Sequence, residues 1–324
     1  MLEERQLSGP EEAEILLKKC GLTLCKDVDY TMGLFKDGIL VATGSIKGDM
    51  LQMLAVSPEY HGYDFTSIVI SHLIKYANNN NITTVYLFSK PENIEFFIPM
   101  GFKTVAVAKP YAALMEWGKP GIEEFCDELR SIAHYDAAAL VMNCNPFTNG
   151  HRWIIERAAS ENEHVFVLVV EEDVSFFPFK DRFRLVKAGT ADMSNVTVIP
   201  GGRYVVSLLT FPSYFTAEKN LAAAQSSIDA EIFASRIAPA LGVRKRYVGS
   251  EPFSEVTNIY NEVLIEKLNP AGIRVIRLER YKVDGVPVSA SRVRQLLSKG
   301  CLDEIKKLVP PTTWDYLNSI KTNQ

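Results

Sequence analysis

The sequence predicts an α/β protein of two domains. Three observations carry this expectation. In the second half, apolar runs of strand length alternate with helical patterns, the order of a parallel sheet flanked by helices. Val165 to Val170 is apolar at every position, as a strand buried on both faces requires. A Lys119-Pro120-Gly121 break separates this half from a first part whose strands begin as a hairpin. With 324 residues, 47% of them hydrophobic, the chain can fill two cores. Charged residues make up 23% and the net charge is −4, an ordinary globular balance with no basic surplus to call for a nucleic-acid partner.

The first domain is expected at residues 1–118. Glu11 to Cys20 has helical spacing, with Ile15 and Leu16 among charges. Tyr30 to Phe35 and Ile39 to Thr43 read as strands joined by the turn Lys36-Asp37-Gly38. Met50 to Val56 is a strand, Pro58 to Gly62 a loop, and Thr66 to Tyr76 a helix with Ile68, Val69, Leu73 and Ile74 on one face. Asn78 to Asn81, four consecutive Asn residues, ends that helix. Thr84 to Phe88 is a strand, Glu92 to Met100 a short helix, and Thr104 to Val107 and Tyr111 to Trp117 close the domain.

Residues 119–134 are expected to form a linker helix, and residues 135–324 the second domain. There the strands are Ala137 to Met142, Val165 to Val170, Val196 to Ile199, Tyr204 to Leu208, Lys245 to Gly249 and Arg274 to Leu278. The helices are Arg152 to Ala159, Asp181 to Ala188, Ala217 to Ile237, Glu255 to Leu268 and Ser291 to Lys299. In such a sheet the ligand site lies at the carboxyl ends of the strands.

The first residues are charged and lack the apolar core of a secretory signal, and no apolar run is long enough to cross a bilayer. The five cysteines contain no CxxC pair, so reduced, mostly buried thiols of a cytoplasmic protein are expected. Cys144 sits in the most informative loop, and packing is favoured over chemistry because no neighbouring base would activate its thiol.

That loop is Asn143-Cys144-Asn145-Pro146-Phe147-Thr148-Asn149-Gly150-His151, between a buried strand and a helix start. Pro146 stiffens the turn and Gly150 lets backbone approach a phosphate. The helix beginning near His151 aims free N–H groups at an anion, and Thr148 offers a hydroxyl. The His151 imidazole can donate to an α-phosphate oxygen as charge builds there. Groups of this kind position and stabilise, and no protein nucleophile is needed.

Thr148-Asn149-Gly150-His151 resembles the (H/T)xGH signature of the nucleotidylyltransferase superfamily, whose domain is Rossmann-like. Val288-Ser289-Ala290-Ser291-Arg292-Val293-Arg294 resembles its ISSTxVR element. By this resemblance Ser289 and Ser291 cap a helix and bond phosphate oxygens, and Arg294 holds the β- and γ-phosphates. The resemblance also implies ATP contacts from Asn143, Asn145, Pro146, Phe147, Gly249 and Glu251, and Mg²⁺ as companion to ATP, with its ligands unassigned. The resemblance breaks after the second strand, where relatives carry a Lys and residues 171–179 have none; Lys180, Arg182 or Arg184 are the candidate substitutes, Arg182 and Arg184 being favoured as structural. Glu171, Glu172 and Asp173 read as a solvated loop in preference to a metal site.

In the first domain, Leu54-Ala55-Val56 with Ser57 to Gly62, and Pro91 to Phe102, resemble GNAT-type acetyltransferases, implying a GNAT-like α+β domain. Glu59 and Asp64 stand where that family keeps a cation or amide and a small residue, so a role in docking or recognition is favoured over acetyl transfer. The two domains together resemble the citrate lyase ligase family, with further matches at Tyr204 to Ser207, Thr210 to Phe215 and Val283 to Gly285. The resemblance implies that acetate attacks the α-phosphorus of ATP, and that the acetyl group of acetyl-adenylate passes to the CoA-like prosthetic thiol of the citrate lyase acyl carrier subunit. Phe211 and Tyr214, in the run Phe211-Pro212-Ser213-Tyr214-Phe215, would wall the adenylate from water. Two other readings stay open: a nucleotide adenylyltransferase of the nicotinamide mononucleotide or phosphopantetheine type, and a non-catalytic module that binds an acyl carrier.

Overall fold

The computed structural model describes residues 1–171, 175–205, 218–250 and 255–322. The chain divides into two units, Met1–Phe125 forming the body of the first, and Cys126–Thr210 with Gln225–Gln324 forming the second.

The first unit is built on strands β1 (Leu2–Gln6), β2 (Tyr30–Lys36), β3 (Ile39–Lys47), β4 (Met50–Val56), β5 (Thr84–Ser89), β6 (Lys103–Ala108) and β7 (Ala112–Gly118), in the spatial order β1-β2-β3-β4-β5-β7-β6. Helices α1 (Glu14–Lys19), α2 (Phe65–Asn79) and α3 (Ile94–Phe97) accompany the sheet, and α4 (Ile122–Arg130) follows it. The result is an α+β domain, as expected. Helix α2 buries Phe65, Val69, Ile70, Leu73 and Ala77, the i, i+4 stripe of a helix lying on a sheet. Gly44 of β3 admits that helix: a Cβ there would lie 2.6 Å from Val69 Cγ1 and 2.8 Å from Leu54 Cδ2.

Every neighbouring pair in this sheet is antiparallel except β4 and β5, which pair in parallel over Met50↔Tyr86 and Leu51↔Leu87 alone. The register of β4 against β3 shifts between Thr43 and Ser45, and Met53 sits at φ +52. A bulge of this kind bends a strand away from its neighbour. Beyond the paired residues a cleft of about 740 Å³ lies between the two strands, lined by Met53 to Val56, Phe88 to Lys90 and the loop Pro58 to Tyr63, where the segment from Pro58 to Gly62 is expected. Strand β1 was not legible in the sequence, because Leu2-Glu3-Glu4-Arg5-Gln6 is an exposed edge strand with no buried face.

The second unit holds five parallel strands: β8 (Ala137–Met142), β9 (Val165–Val169), β10 (Val196–Pro200), β11 (Val243–Gly249) and β12 (Arg274–Leu278). Their order, β10-β9-β8-β11-β12, places β8 at the point where the chain reverses its direction of travel across the sheet. All five residues of β9 are buried, as its unbroken apolar run requires. The helices are α5 (Asn149–Glu161), α6 (Phe179–Gly189), α7 (Glu218–Ile232) continued through a π-helical turn at Phe233–Ile237 into α8 (Ala238–Leu241), and α9 (Glu255–Leu268). A short hairpin, β13 (Lys282–Val283) and β14 (Val286–Pro287), precedes α10 (Ala290–Ser298), α11 (Leu302–Lys306) and α12 (Pro311–Thr322).

One expected strand is corrected. Gly202–Tyr204 is a 3-10 turn, because Gly202 at φ +63 leaves the extended path, and residues 206–208 of the expected strand lie outside the described residues. The hairpin and the last two helices were also not foreseen. They close a separate core of Phe177, Val288, Val293, Ile305, Leu308, Val309 and Leu317, which seats α10 within the second unit. No described helix is long and apolar enough to cross a membrane.

Candidate active site

The crevice outside the carboxyl ends of β8 and β11 is the reversal point of the sheet, the position at which open α/β sheets hold ligands. The loop leaving β8 enters it, and its shape is set by one buried cation. Arg182 of α6 is fully buried, and its guanidinium donates to Asn143 O (2.7 Å), Asn143 Oδ1 (2.8 Å), Val170 O (2.8 Å) and Phe177 O (3.0 Å). Phe177 N donates to Asn145 Oδ1 (3.0 Å), and Asn143 Nδ2 to Ser175 Oγ (3.2 Å), so the loop is fastened to residues 175–177. Cys144 and Phe147 turn into the core, with 1% and 0% of their surfaces exposed. Burial pushes the Cys144 thiol far above its ordinary range, which keeps it protonated and leaves packing as its role.

Helix α5 starts at Asn149, two to three residues earlier than the periodicity suggested, and Thr148 is its N-cap. The shift decides the chemistry of two residues. His151 stands at the third helical position, where its N–H donates to Thr148 Oγ1 (3.3 Å) while its Nδ1 accepts from the Thr148 N–H (3.1 Å). This is a capping box with an imidazole where Glu or Gln usually stands. The ring nitrogen that accepts a backbone N–H carries no proton, so in the neutral ring the proton sits on Nε2. Burial, and next the Arg280 cation, push His151 down to about 4. The ring at neutral pH is therefore an uncharged Nε2–H donor.

Several sequence expectations change here. Thr148 was expected to offer its hydroxyl to a phosphate, but it is 1% exposed and its oxygen accepts from His151 N and lies 2.9 Å from His151 Nδ1. It positions the imidazole. Phe147 was expected among the ATP contacts, yet its ring is packed where a Cβ on Gly189 would come within 2.5 Å of it. Pro146 is likewise buried, following Asn145 through a cis peptide. The helix N-terminus is less open than expected, because Asn149 N donates to Leu308 O (2.9 Å) and His151 N is capped. Gly150 supplies the first-turn N–H without a partner among the described residues.

Gly150 also has a second task. A Cβ there would lie 3.1 Å from Val288 O, so the missing side chain lets the start of α5 meet the segment entering α10. Ser289 is the N-cap of α10 and accepts from Arg292 N (3.2 Å). Ser291 was expected to cap as well, but it lies inside the first turn and accepts from Arg294 Nη2 (3.2 Å). The other end of that guanidinium, Nη1, donates to Asn145 O at 2.5 Å. Arg294 thus ties the two motifs together. Gly249 ends β11 where a Cβ would stand 3.1 Å from Ile154 Cδ1 of α5, and its carbonyl accepts from Asn261 Nδ2 (3.0 Å). Glu251, Phe211 and Tyr214, also expected at the site, lie outside the described residues.

The candidate substitutes for the missing Lys differ in their surroundings. Arg182 is spent on carbonyls, Arg184 pairs with Asp181 at 3.1 Å, and Lys180 is exposed. The cation that sequence reasoning missed is Arg280, two residues beyond β12, half-buried, with Nε donating to Ser250 O (2.8 Å). No motif flags it, and only the adjacency of β11 and β12 brings it to this edge. Among the described residues no group of three or more His, Cys, Asp or Glu side chains could hold a metal ion, and Glu171 is exposed.

Two outcomes follow from this geometry. Replacing Arg182 with Met should destabilise the second unit by about 3 kcal/mol or more, since four buried acceptors lose a charged donor; denaturant unfolding would measure it, and a change under 1 kcal/mol would remove the Arg182 network as the loop's anchor. Nitrogen NMR of His151 should show the Nε2–H tautomer at pH 7, with protonation only near pH 4. Because the folded ring binds its proton less readily than an unfolded one, the stability that His151 contributes falls as pH drops from about 6.5 toward 4.

Comparison with known proteins identifies the family. A family model described as the citrate lyase ligase C-terminal domain matches residues 137–317. The [citrate [pro-3S]-lyase] ligase of Escherichia coli (strain K12) is 36% identical over 305 residues, covering 90% of this chain and 87% of that one. Its namesake from Klebsiella pneumoniae is 36% identical over 295 residues, covering 88% and 85%. Among solved structures, the PaiA N-acetyltransferase of Thermoplasma acidophilum aligns with 36% of this chain and 99% of its own, at 17% identity and a TM-score of 0.30. Matched by the family model over more than half its length and by full-length relatives over nearly all of it, the chain belongs to the citrate lyase ligase family.

Proposed function

We propose that the second unit activates acetate with ATP and that the protein delivers the acetyl group to the thiol of the CoA-like arm on the citrate lyase acyl carrier subunit. The observation that carries this reading is the convergence at one sheet edge of a tautomer-locked His151 and, across the Gly150–Val288 contact, the capped start of α10. A carboxylate oxygen of acetate attacks the α-phosphorus of ATP. The bond from that phosphorus to the bridging oxygen breaks, and pyrophosphate leaves with the electron pair. His151 Nε2–H donates to a non-bridging α-oxygen as its charge grows. Arg294 suits the departing β- and γ-phosphates, having a planar multi-donor head at the seam of the two motifs. Arg292, two residues earlier on α10, has a buried Nη1 with no hydrogen-bond partner among the described residues, a donor that an anion would satisfy. In the second half-reaction the carrier thiolate attacks the acetyl carbon and AMP leaves. Mg²⁺ would travel on the triphosphate, where it needs few protein ligands, and it screens the charge that builds there.

The cleft of the first unit, between β4 and β5, is the place we assign to the arm. Its walls include Met53 to Val56 and Phe88 to Lys90. In this reading the first unit recognises the arm and leaves the transfer chemistry to the second unit.

Acetate-dependent pyrophosphate release from ATP should be measurable with the purified protein, and His151→Ala should lower it by roughly 10²–10³, the scale of one lost transition-state donor. Near-normal turnover in the variant would take His151 out of the mechanism, and release that needs a mononucleotide in place of acetate would overturn the acetate assignment. Bulk placed at the cleft rim, in Thr66→Trp and Asn93→Trp, should slow acetylation of the carrier at least tenfold while sparing acetate-dependent pyrophosphate release. Equal losses in both assays would remove the cleft from arm recognition.

A further inference from the structure

The cation that the α-phosphate needs comes from neither motif. Arg280 follows β12, whose last residue, Leu278, is in register with Gly249 at the end of β11. The Ser250 N–H donates to Leu278 O (2.8 Å), which continues that pairing one residue into the crevice. Arg280 Nε donates to the Ser250 carbonyl (2.8 Å), and this bond fixes the plane of the guanidinium. The guanidinium lies beside the end of β11: a Cβ on Gly249 would be in ordinary contact with Arg280 Nε at 3.8 Å. The next residue is held on two sides, because Tyr281 O accepts from Val288 N (2.9 Å) and the Tyr281 ring lies 6.4 Å from that of Trp153 on α5. The backbone carrying Arg280 is therefore clamped between the helix that bears His151 and the strand that leads to Ser289.

Resting on the carboxylate-activation reading, we propose that Arg280 is a substrate-binding residue that holds the α-phosphate of ATP, opposite His151. A half-buried guanidinium at this position answers a need that Lys180, Arg182 and Arg184 leave open. Its positive charge already acts on His151, which it helps to keep neutral. Burial disfavours the Arg280 charge itself, as it does for a cation set back from open solvent. The division of labour is then one donor without net charge and one cation on the reacting phosphate, with Arg294 on the two phosphates that leave. Arg280 positions and neutralises; it exchanges no proton and forms no bond.

The test compares AMP with adenosine, whose affinities differ by the α-phosphate alone. The full-length protein should bind AMP more tightly than adenosine. Arg280→Gln should cut that advantage about tenfold and lower kcat for acetate-dependent pyrophosphate release roughly 10²-fold, the scale of one transition-state donor. Arg280→Lys should restore part of both, as a cation without the fork geometry would. Arg294→Gln should weaken ATP binding but leave the AMP advantage intact. An Arg280→Gln protein that loses turnover yet keeps the wild-type AMP advantage would show a mere strut between strands and overturn the proposal, as would full turnover. Should the wild-type protein show no acetate-dependent release but still read AMP through Arg280, the carboxylate-activation reading falls and the Arg280 assignment stands.

Discussion

The site depends on the buried charge of Arg182. A guanidinium withdrawn from water is costly unless each of its hydrogens finds an acceptor. Here the acceptors are three main-chain carbonyls and one amide oxygen, gathered from the ends of β8 and β9 and from the segment entering α6. None of these four carries a formal charge, so each contributes only when its geometry is right. That requirement turns a loop of polar residues into a rigid one, and a rigid loop can present a helix start at a defined angle.

From this anchor the rest is a sequence of close fits. The loop sets Thr148, Thr148 sets the ring of His151, and Gly150 allows Val288 O near enough for the second motif to join. Arg294 then reaches back to Asn145 O, closing the circuit on the loop that Arg182 fixed. The small core of Phe177, Val288, Leu308 and Leu317 keeps α10 from drifting, which explains why a chain with a complete parallel sheet still carries three further short helices. These elements add no strand to the sheet, and they hold the start of α10 against the start of α5.

Much of this was legible in the sequence because it is local. The apolar run of β9, the strand-loop-helix around Thr148 to His151 and the helix after Ser289 are written in consecutive residues. Edge strand β1 was not legible, since five exposed residues carry no burial signal. Arg280 was not, since its place depends on β12 lying beside β11. The burial of the Thr148 and Phe147 side chains was not legible, since a motif names residue types, whereas the packing around a helix start decides which of them face inward. The boundary of α5, the least secure feature of any sequence reading, was the one on which the chemistry turned.

A backbone amide, and no carboxylate, fixes the proton of His151 on Nε2. In many sites an acidic side chain performs that task, and substituting it changes the tautomer while the fold survives. Here the partner cannot be substituted away, because every residue except proline has the same N–H. The donor exists only while the first turn of α5 is wound, and fraying of that turn frees Nδ1 and lets the ring take either tautomer. The tautomer of His151 and local helix order are therefore a single property of this protein, and any event that loosens residues 148–151 frees the ring to move its proton.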